Sequence, residues 1–223
     1  MKLSAKRYEQ IKETIADMYE DYGICSFPID INSLAKCLNI KFIYETSYLE
    51  EFDDNEAPVE GCVLTDFNDM IHKVLIANWS TYRGKQTYTK CHEIGHIVLG
   101  HKPNSEEAES ESDFFAGYTL APSCLIMVDE LRQILLDFPH LYPTLFGLSE
   151  EATKHAYNRF VQRLNCGAKL KEYELRILEL FNNSIQDIIK KYKDYEIWWK
   201  NKTQAIRSGL GWTCSKTCPV RIY

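Results

Sequence analysis

Apolar residues recur at three- and four-residue spacings through Tyr8, Ile11, Ile15, Met18 and Tyr19, which predicts an amphipathic helix over residues 4–22. Tyr22-Gly23 ends it, Phe27-Pro28 marks a turn, and Asp30 is placed to cap a short helix through Leu34, Ala35 and Leu38 that stops near Asn39. The period then changes from helical to alternating. Lys41-Phe42-Ile43-Tyr44 reads as a short strand. Gly61 to Thr65 and Ile71 to Ala77 read as two more, and Asp66-Phe67-Asn68-Asp69 between them suggests an antiparallel hairpin. The acidic stretch from Glu50 to Glu60, containing Pro58, is a loop.

Helical periodicity resumes at Thr81–Lys85 and runs to about Gly100, where Lys102-Pro103 breaks it. A second helix starts at Asn104 or Ser105, with Asn104 and Glu107 at capping-box spacing. It ends at Leu120, because Pro122 disfavours helix at the residue before it. Beyond Pro122 the pattern is wholly helical: Leu125 to Phe138, a break from Pro139 to Pro143, a helix opened by Ser149 and running through Leu164, and a last one from Tyr173 to Tyr192. The fold class implied is α+β. A part with a small sheet occupies residues 1–125 and a helical C-terminal region residues 126–223, with a soft boundary near 122–140.

Composition narrows the setting. With 223 residues, 45% hydrophobic and 26% charged, the chain reads as a soluble globular protein of one large domain, or a domain with a smaller companion. No apolar run approaches the roughly 20 residues of a membrane helix. Glu9, Lys12, Glu13 and Asp17 interrupt any signal-peptide core behind the basic start, so a cytoplasmic location is expected. In that reducing compartment the eight cysteines are small buried hydrophobes or occasional ligands rather than a disulfide frame. Net charge −6 argues against a general nucleic-acid binder. The charge is uneven: Lys190 to Tyr223 carries eight Lys/Arg against Asp194 and Glu196, a local +6 that leaves −12 elsewhere. Trp198, Trp199 and Trp212 share this tail, which reads either as a solvated helix end with aromatics packed inward or as a docking surface for an acidic partner.

The chemistry is concentrated in His92-Glu93-Ile94-Gly95-His96. On a helix, positions i and i+4 are about 40° apart, so both imidazoles can reach one ion, while Glu93 flanks them as a general base. Tyr88, Cys91, Ile94 and Val98 form the opposite, buried stripe. A catalytic zinc normally takes a third protein ligand. His101, five residues after His96, is turned about 140° away on a continued helix and is set aside as a helix-end residue. Glu109 shares a face of the next helix with Ser112, Asp113, Ala116 and Leu120, while most other acids there point outward. It is the favoured third ligand, with Glu111 the alternative. Asp113, one turn after Glu109, can accept a hydrogen bond from the free ring nitrogen of a zinc-bound histidine. Zn²⁺ is the default metal, although such sites also take Mn²⁺ or Fe²⁺. Tyr118, His140 and His155 are available as oxyanion donors, and the sequence does not choose among them.

These segments resemble the ImmA/IrrE metallopeptidases along most of residues 1–165. Tyr82-Arg83 and Thr87-Tyr88-Thr89 before Cys91-His92-Glu93-Ile94-Gly95-His96, then Glu109 to Ala116, then Leu120-Ala121-Pro122, are similar to that family's R-x-x-F-T-x-x-H-E-x-G-H and E-x-x-A-[ND]-x-F-A-x-x-L-[LM]-P patterns. Tyr88, Ser112 and Ala121 depart from them without touching a ligand position, and from Lys171 onward the likeness is weak. The resemblance implies a zincin-like catalytic core with an HExxH helix, zinc held by His92, His96 and Glu109, and Glu-x-x-x-Asp spacing extending to Asp113. It also implies a regulatory zinc endopeptidase that cleaves a helix-turn-helix transcriptional repressor. Two other readings compete. One is a zinc-containing DNA-binding protein, for which residues 149–165 offer only Lys154, Arg159 and Arg163 against Glu150 and Glu151, so direct nucleic-acid binding is not expected. The other is a toxin–antitoxin interaction module without proteolysis. Cys214 and Cys218 could hold a second metal with Cys166, a weak signal at that spacing.

Overall fold

A computed structural model describes residues 3–44, 61–66, 71–76, 83–101 and 105–207. Helix α1 (Ala5–Asp21) begins where the Ser4 side chain accepts a hydrogen bond from the Arg7 N–H, and it buries Ile11, Ile15, Met18 and Tyr19. Helix α2 (Ile31–Cys37) is capped by Asp30, whose carboxylate accepts from the N–H groups of Asn32 and Ser33. Strands β1 (Ile40–Tyr44), β2 (Gly61–Asp66) and β3 (Ile71–Ile76) form one sheet in the order β1-β3-β2. β2 and β3 pair antiparallel, as a hairpin requires, and β1 runs parallel to β3, with Ile40 opposite His72 and Tyr44 opposite Ile76. The acidic segment 50–60, the link 67–69, Asn104, Trp212, Cys214 and Cys218 lie outside the described residues.

Helix α3 (Arg83–Val98) packs on β2 and β3 and, across its other side, on α4 (Glu106–Leu120). The α4 cap is Ser105, whose side chain accepts from the Ala108 N–H. Between Pro122 and Arg207 the chain is helical, with finer breaks than periodicity predicts. The expected helix from Leu125 to Phe138 is a 3₁₀ segment, Ser123–Met127, followed by α5 (Asp129–Asp137). Extended Val128 separates them, Asp129 and Glu130 occupy the first turn of α5, and Arg132 Nε donates to the freed Ile126 carbonyl at 3.0 Å. The expected break from Pro139 to Pro143 is itself helical, a 3₁₀ turn (Pro139–Leu141) leading into α6 (Tyr142–Phe146).

Helix α7 (Glu150–Asn165) is capped by Ser149. The single helix expected over Tyr173 to Tyr192 is two, α8 (Glu172–Leu180) and α9 (Asn182–Arg207), divided at Phe181. That break delivers the fully buried Phe181 ring onto Phe27, stacked at 4.4 Å, and edge-on to Tyr19 at 5.0 Å.

One hydrophobic cluster draws on both sides of residue 125, from Ile15, Ile94 and Phe115 to Phe146, Phe160 and Ile185. Arg163 and Glu174 form a buried ion pair at 2.6 Å that links α7 to α8. On α9, Trp198 packs with Tyr195 against Leu141, whereas Ile197 and Trp199 face outward, so the aromatics of this helix end are not all turned inward. Cys91 and Cys124 are buried, but Cys25, Cys37 and Cys166 are exposed thiols, against the expectation of burial. No helix among the described residues is long and apolar enough to cross a membrane.

Candidate metal centre

The geometry of the site begins with how closely α3 and α4 approach. A side chain at Gly95 would meet Phe115 Cδ1 at 3.0 Å and Cβ at 3.3 Å, so the glycine lets the Phe115 ring lie directly on α3. Cys91, Ile94 and Ala116 are buried at the same contact, and Cys91 Sγ lies 3.9 Å from the Ala116 carbonyl. With that face packed, His92 and His96, one turn apart, are brought against the first turns of α4, where Glu109 stands.

His92 Nε2 lies 3.1 Å from His96 Nε2 and 3.2 Å from Glu109 Oε2, and His96 Nε2 is 3.5 Å from Glu109 Oε1. Four ligands at about 2.0–2.1 Å around one ion in a tetrahedron stand about 3.3–3.4 Å from one another. The His92–His96 separation and that from His92 to Glu109 Oε2 fall just below this edge length, and the 3.5 Å from His96 is to the other carboxylate oxygen. His92, His96 and Glu109 can therefore hold a metal ion. Two imidazole nitrogens and a carboxylate converging on one point are the donor set a zinc ion takes.

Asp113 Oδ1 lies 3.0 Å from His92 Nδ1, on the ring edge opposite Nε2. The Tyr88 hydroxyl donates to the Asp113 backbone carbonyl at 3.2 Å. The His92 hydrogen bond holds the Asp113 carboxyl below its ordinary value, against burial. Burial opposes protonation of His92, but the Asp113 hydrogen bond and the charges of Glu93, Asp113 and Glu109 outweigh it and raise its pKa. His96 moves the other way, to about 4, through burial and then the neighbouring His92 charge. Glu93, only 6% exposed, is pushed up to about 7 by burial, with His92 pulling it back and Glu109 adding to the rise.

Two residues differ from their reading in the sequence. Glu111, the alternative ligand, is buried and engaged elsewhere: Arg7 Nε and Nη2 each donate to it at 2.5 Å, and its Oε2 lies 2.8 Å from His101 Nε2. The Arg7 hydrogen bond, against burial, holds its carboxyl below the ordinary value. His101 is no metal ligand, but it touches one, its Nδ1 lying 3.1 Å from His96 Nδ1. The helix ends before it. Gly100 takes φ +67°, its N–H donates to the Ile97 carbonyl and the His101 N–H to the His96 carbonyl, a Schellman turn that folds His101 back over the helix. Gly100, a helix-ending residue in the sequence, was the available signal for this.

Beside Asp113 opens a cleft of about 870 Å³, lined in part by Lys85, Tyr88, Phe114, His155 and Arg159. Of the three candidate oxyanion donors, His155 lines this cleft, Tyr118 is buried in the core and His140 sits edge-on to Phe138. Compared with known proteins, no family model matches the chain, and no curated protein matches it either.

Proposed function

We propose that the chain is a zinc-dependent endopeptidase with a zincin-type site, in which His92, His96 and Glu109 hold the ion and Glu93 is the catalytic base. The observation that carries this reading is the convergence of His92 Nε2, His96 Nε2 and the Glu109 carboxylate, with separations of 3.1, 3.2 and 3.5 Å, on a point that a single ion can fill. Zinc bound there would supply Lewis acidity, polarising a scissile carbonyl and acidifying water. Glu93 accepts a proton from water on its carboxylate and returns it to the leaving amide nitrogen. A carboxyl near 7 in the protein alone is suited to that exchange, and a bound dication lowers it further toward the ionised form. Asp113 accepts the His92 Nδ1–H and fixes the ring with its Nε2 lone pair toward the ion.

The resemblance of residues 87–96 and 109–122 to the ImmA/IrrE peptidases extends the reading to a substrate, a helix-turn-helix repressor whose cleavage derepresses genes. The test pairs zinc analysis with cleavage of such repressors encoded near the gene. Wild type is expected to cleave one of them, and Glu93→Gln to keep a full zinc complement while losing about 10²–10⁴-fold in rate. Full activity in the zinc-loaded variant would remove Glu93 from the chemistry.

A further inference from the structure

His96 presents Nε2 to His92 and Glu109, and on its other edge Nδ1 meets His101 Nδ1 at 3.1 Å. Two ring nitrogens at that distance must differ: one carries a hydrogen and donates, the other accepts. Which does which is decided two contacts away. Arg7 can only donate, and it occupies both oxygens of Glu111, keeping that group an acceptor-only carboxylate. Glu111 Oε2 is also 2.8 Å from His101 Nε2, so this nitrogen carries the hydrogen. His101 Nδ1 faces His96 Nδ1, with the Ser112 hydroxyl also 3.3 Å away. For His96 Nε2 to keep a lone pair for a cation, the hydrogen of His96 sits on Nδ1 and His101 Nδ1 accepts it.

We propose that Arg7, Glu111 and His101 form a positioning relay that locks His96 into the tautomer whose Nε2 lone pair faces the cation. The relay crosses three elements, from α1 through α4 to the turn after α3. His101 and Glu111 are 9% and 6% exposed at their side chains, so water does not readily replace either. The arrangement is the counterpart, for His96, of what Asp113 does for His92. There the supporting carboxylate is 62% exposed and solvent can substitute for it. His96 is therefore the more rigidly oriented of the two rings, and its orientation depends on the seating of the first helix.

The inference rests on the zinc-site reading, and the test separates the two. Long-range proton–nitrogen NMR of the metal-free full chain, labelled at histidine nitrogens, reads the tautomers, and chelator competition reads zinc affinity. Wild type is expected to show His96 as Nδ1–H. In His101→Phe the acceptor is gone, His96 returns to a mixture of tautomers, and zinc affinity falls about 10–100-fold. Glu111→Leu removes the oxygen that accepts from His101 Nε2, so His101 is free to shift its hydrogen, and His96 again becomes a mixture of tautomers with a comparable loss of zinc affinity. A contact that only packs would leave the tautomer unmoved. His96 found as Nε2–H in wild type overturns the relay without any variant. So does a folded His101→Phe that keeps His96 Nδ1–H and binds zinc within roughly twofold of wild type. If wild type shows His96 Nδ1–H but binds no zinc, the relay stands and the endopeptidase reading fails.

Discussion

Two clusters of ionisable side chains hold this molecule's polar groups in opposite ways. Between α7 and α8, Arg163 Nη2 donates to Glu174 Oε2 at 2.6 Å, and the same oxygen accepts the Lys171 N–H at 3.0 Å. That cluster pairs a cation with an anion, and it is buried. Between α3 and α4, His92, His96 and Glu109 bring two imidazole nitrogens and a carboxylate to one point, and these atoms can hold a metal ion. Balanced clusters hold a fold together; a set of converging ligand atoms suits a bound ion. The difference also predicts where each contributes energy, the first to folding and the second to binding.

Breaking the balanced cluster should have the largest effect on stability. Glu174→Ala strands Arg163 in the interior and is expected to cost about 3–5 kcal/mol in denaturant unfolding. A cost near zero would mean that the pair is not what joins α7 to α8. The ligand cluster should respond to metal instead. Free zinc at 100 times its Kd should stabilise wild type by about 2.7 kcal/mol, read as a rise in Tm. Glu109→Gln should abolish that rise while changing the metal-free stability by about 0.5 kcal/mol or less, since the carboxylate is 53% exposed. Equal zinc shifts in both proteins would remove Glu109 from the site.

How far these clusters could be read from the sequence follows from their locality. Asp30 and Ser149 mark helix starts because a cap depends on residues two or three positions away. His92 and His96 are legible for the same reason, and Glu109 follows from the face of the next helix. His101 is not, because its approach to His96 depends on the helix stopping at Val98 and on Gly100 taking positive φ, whereas a continued helix points it away. The Arg7–Glu111 contact joins residues 104 positions apart, which no local pattern reports. The division of α8 from α9 escapes periodicity because apolar spacing is nearly continuous through Phe181, and it is the demand for that ring in the core that bends the chain.

A smaller effect tests the comparison at the surface. Burial raises the Glu9 pKa, but hydrogen bonds from Lys171, Tyr173 and Lys12 overcome it and hold the group at about 2, against 4.5 ordinarily. The folded state therefore binds fewer protons than the unfolded state between those values. The stability that Glu9 contributes is present above pH 4.5 and is lost as pH falls toward 2. With the side chain 31% exposed, that contribution is about 1 kcal/mol at most. Glu9→Gln should lower Tm slightly at pH 6 and not at pH 2; an equal deficit at both would show that the charge is not the cause.

The central claim is that three side chains from α3 and α4 make a nitrogen- and oxygen-ligated zinc site. X-ray absorption on the zinc-loaded full chain, with metal analysis, tests it directly. The account predicts one zinc per chain, nitrogen and oxygen neighbours at about 2.0–2.1 Å with the scattering of two imidazoles, and loss of the ion in His96→Ala. Sulfur neighbours at about 2.3 Å, or an ion retained in full by His96→Ala, would contradict it.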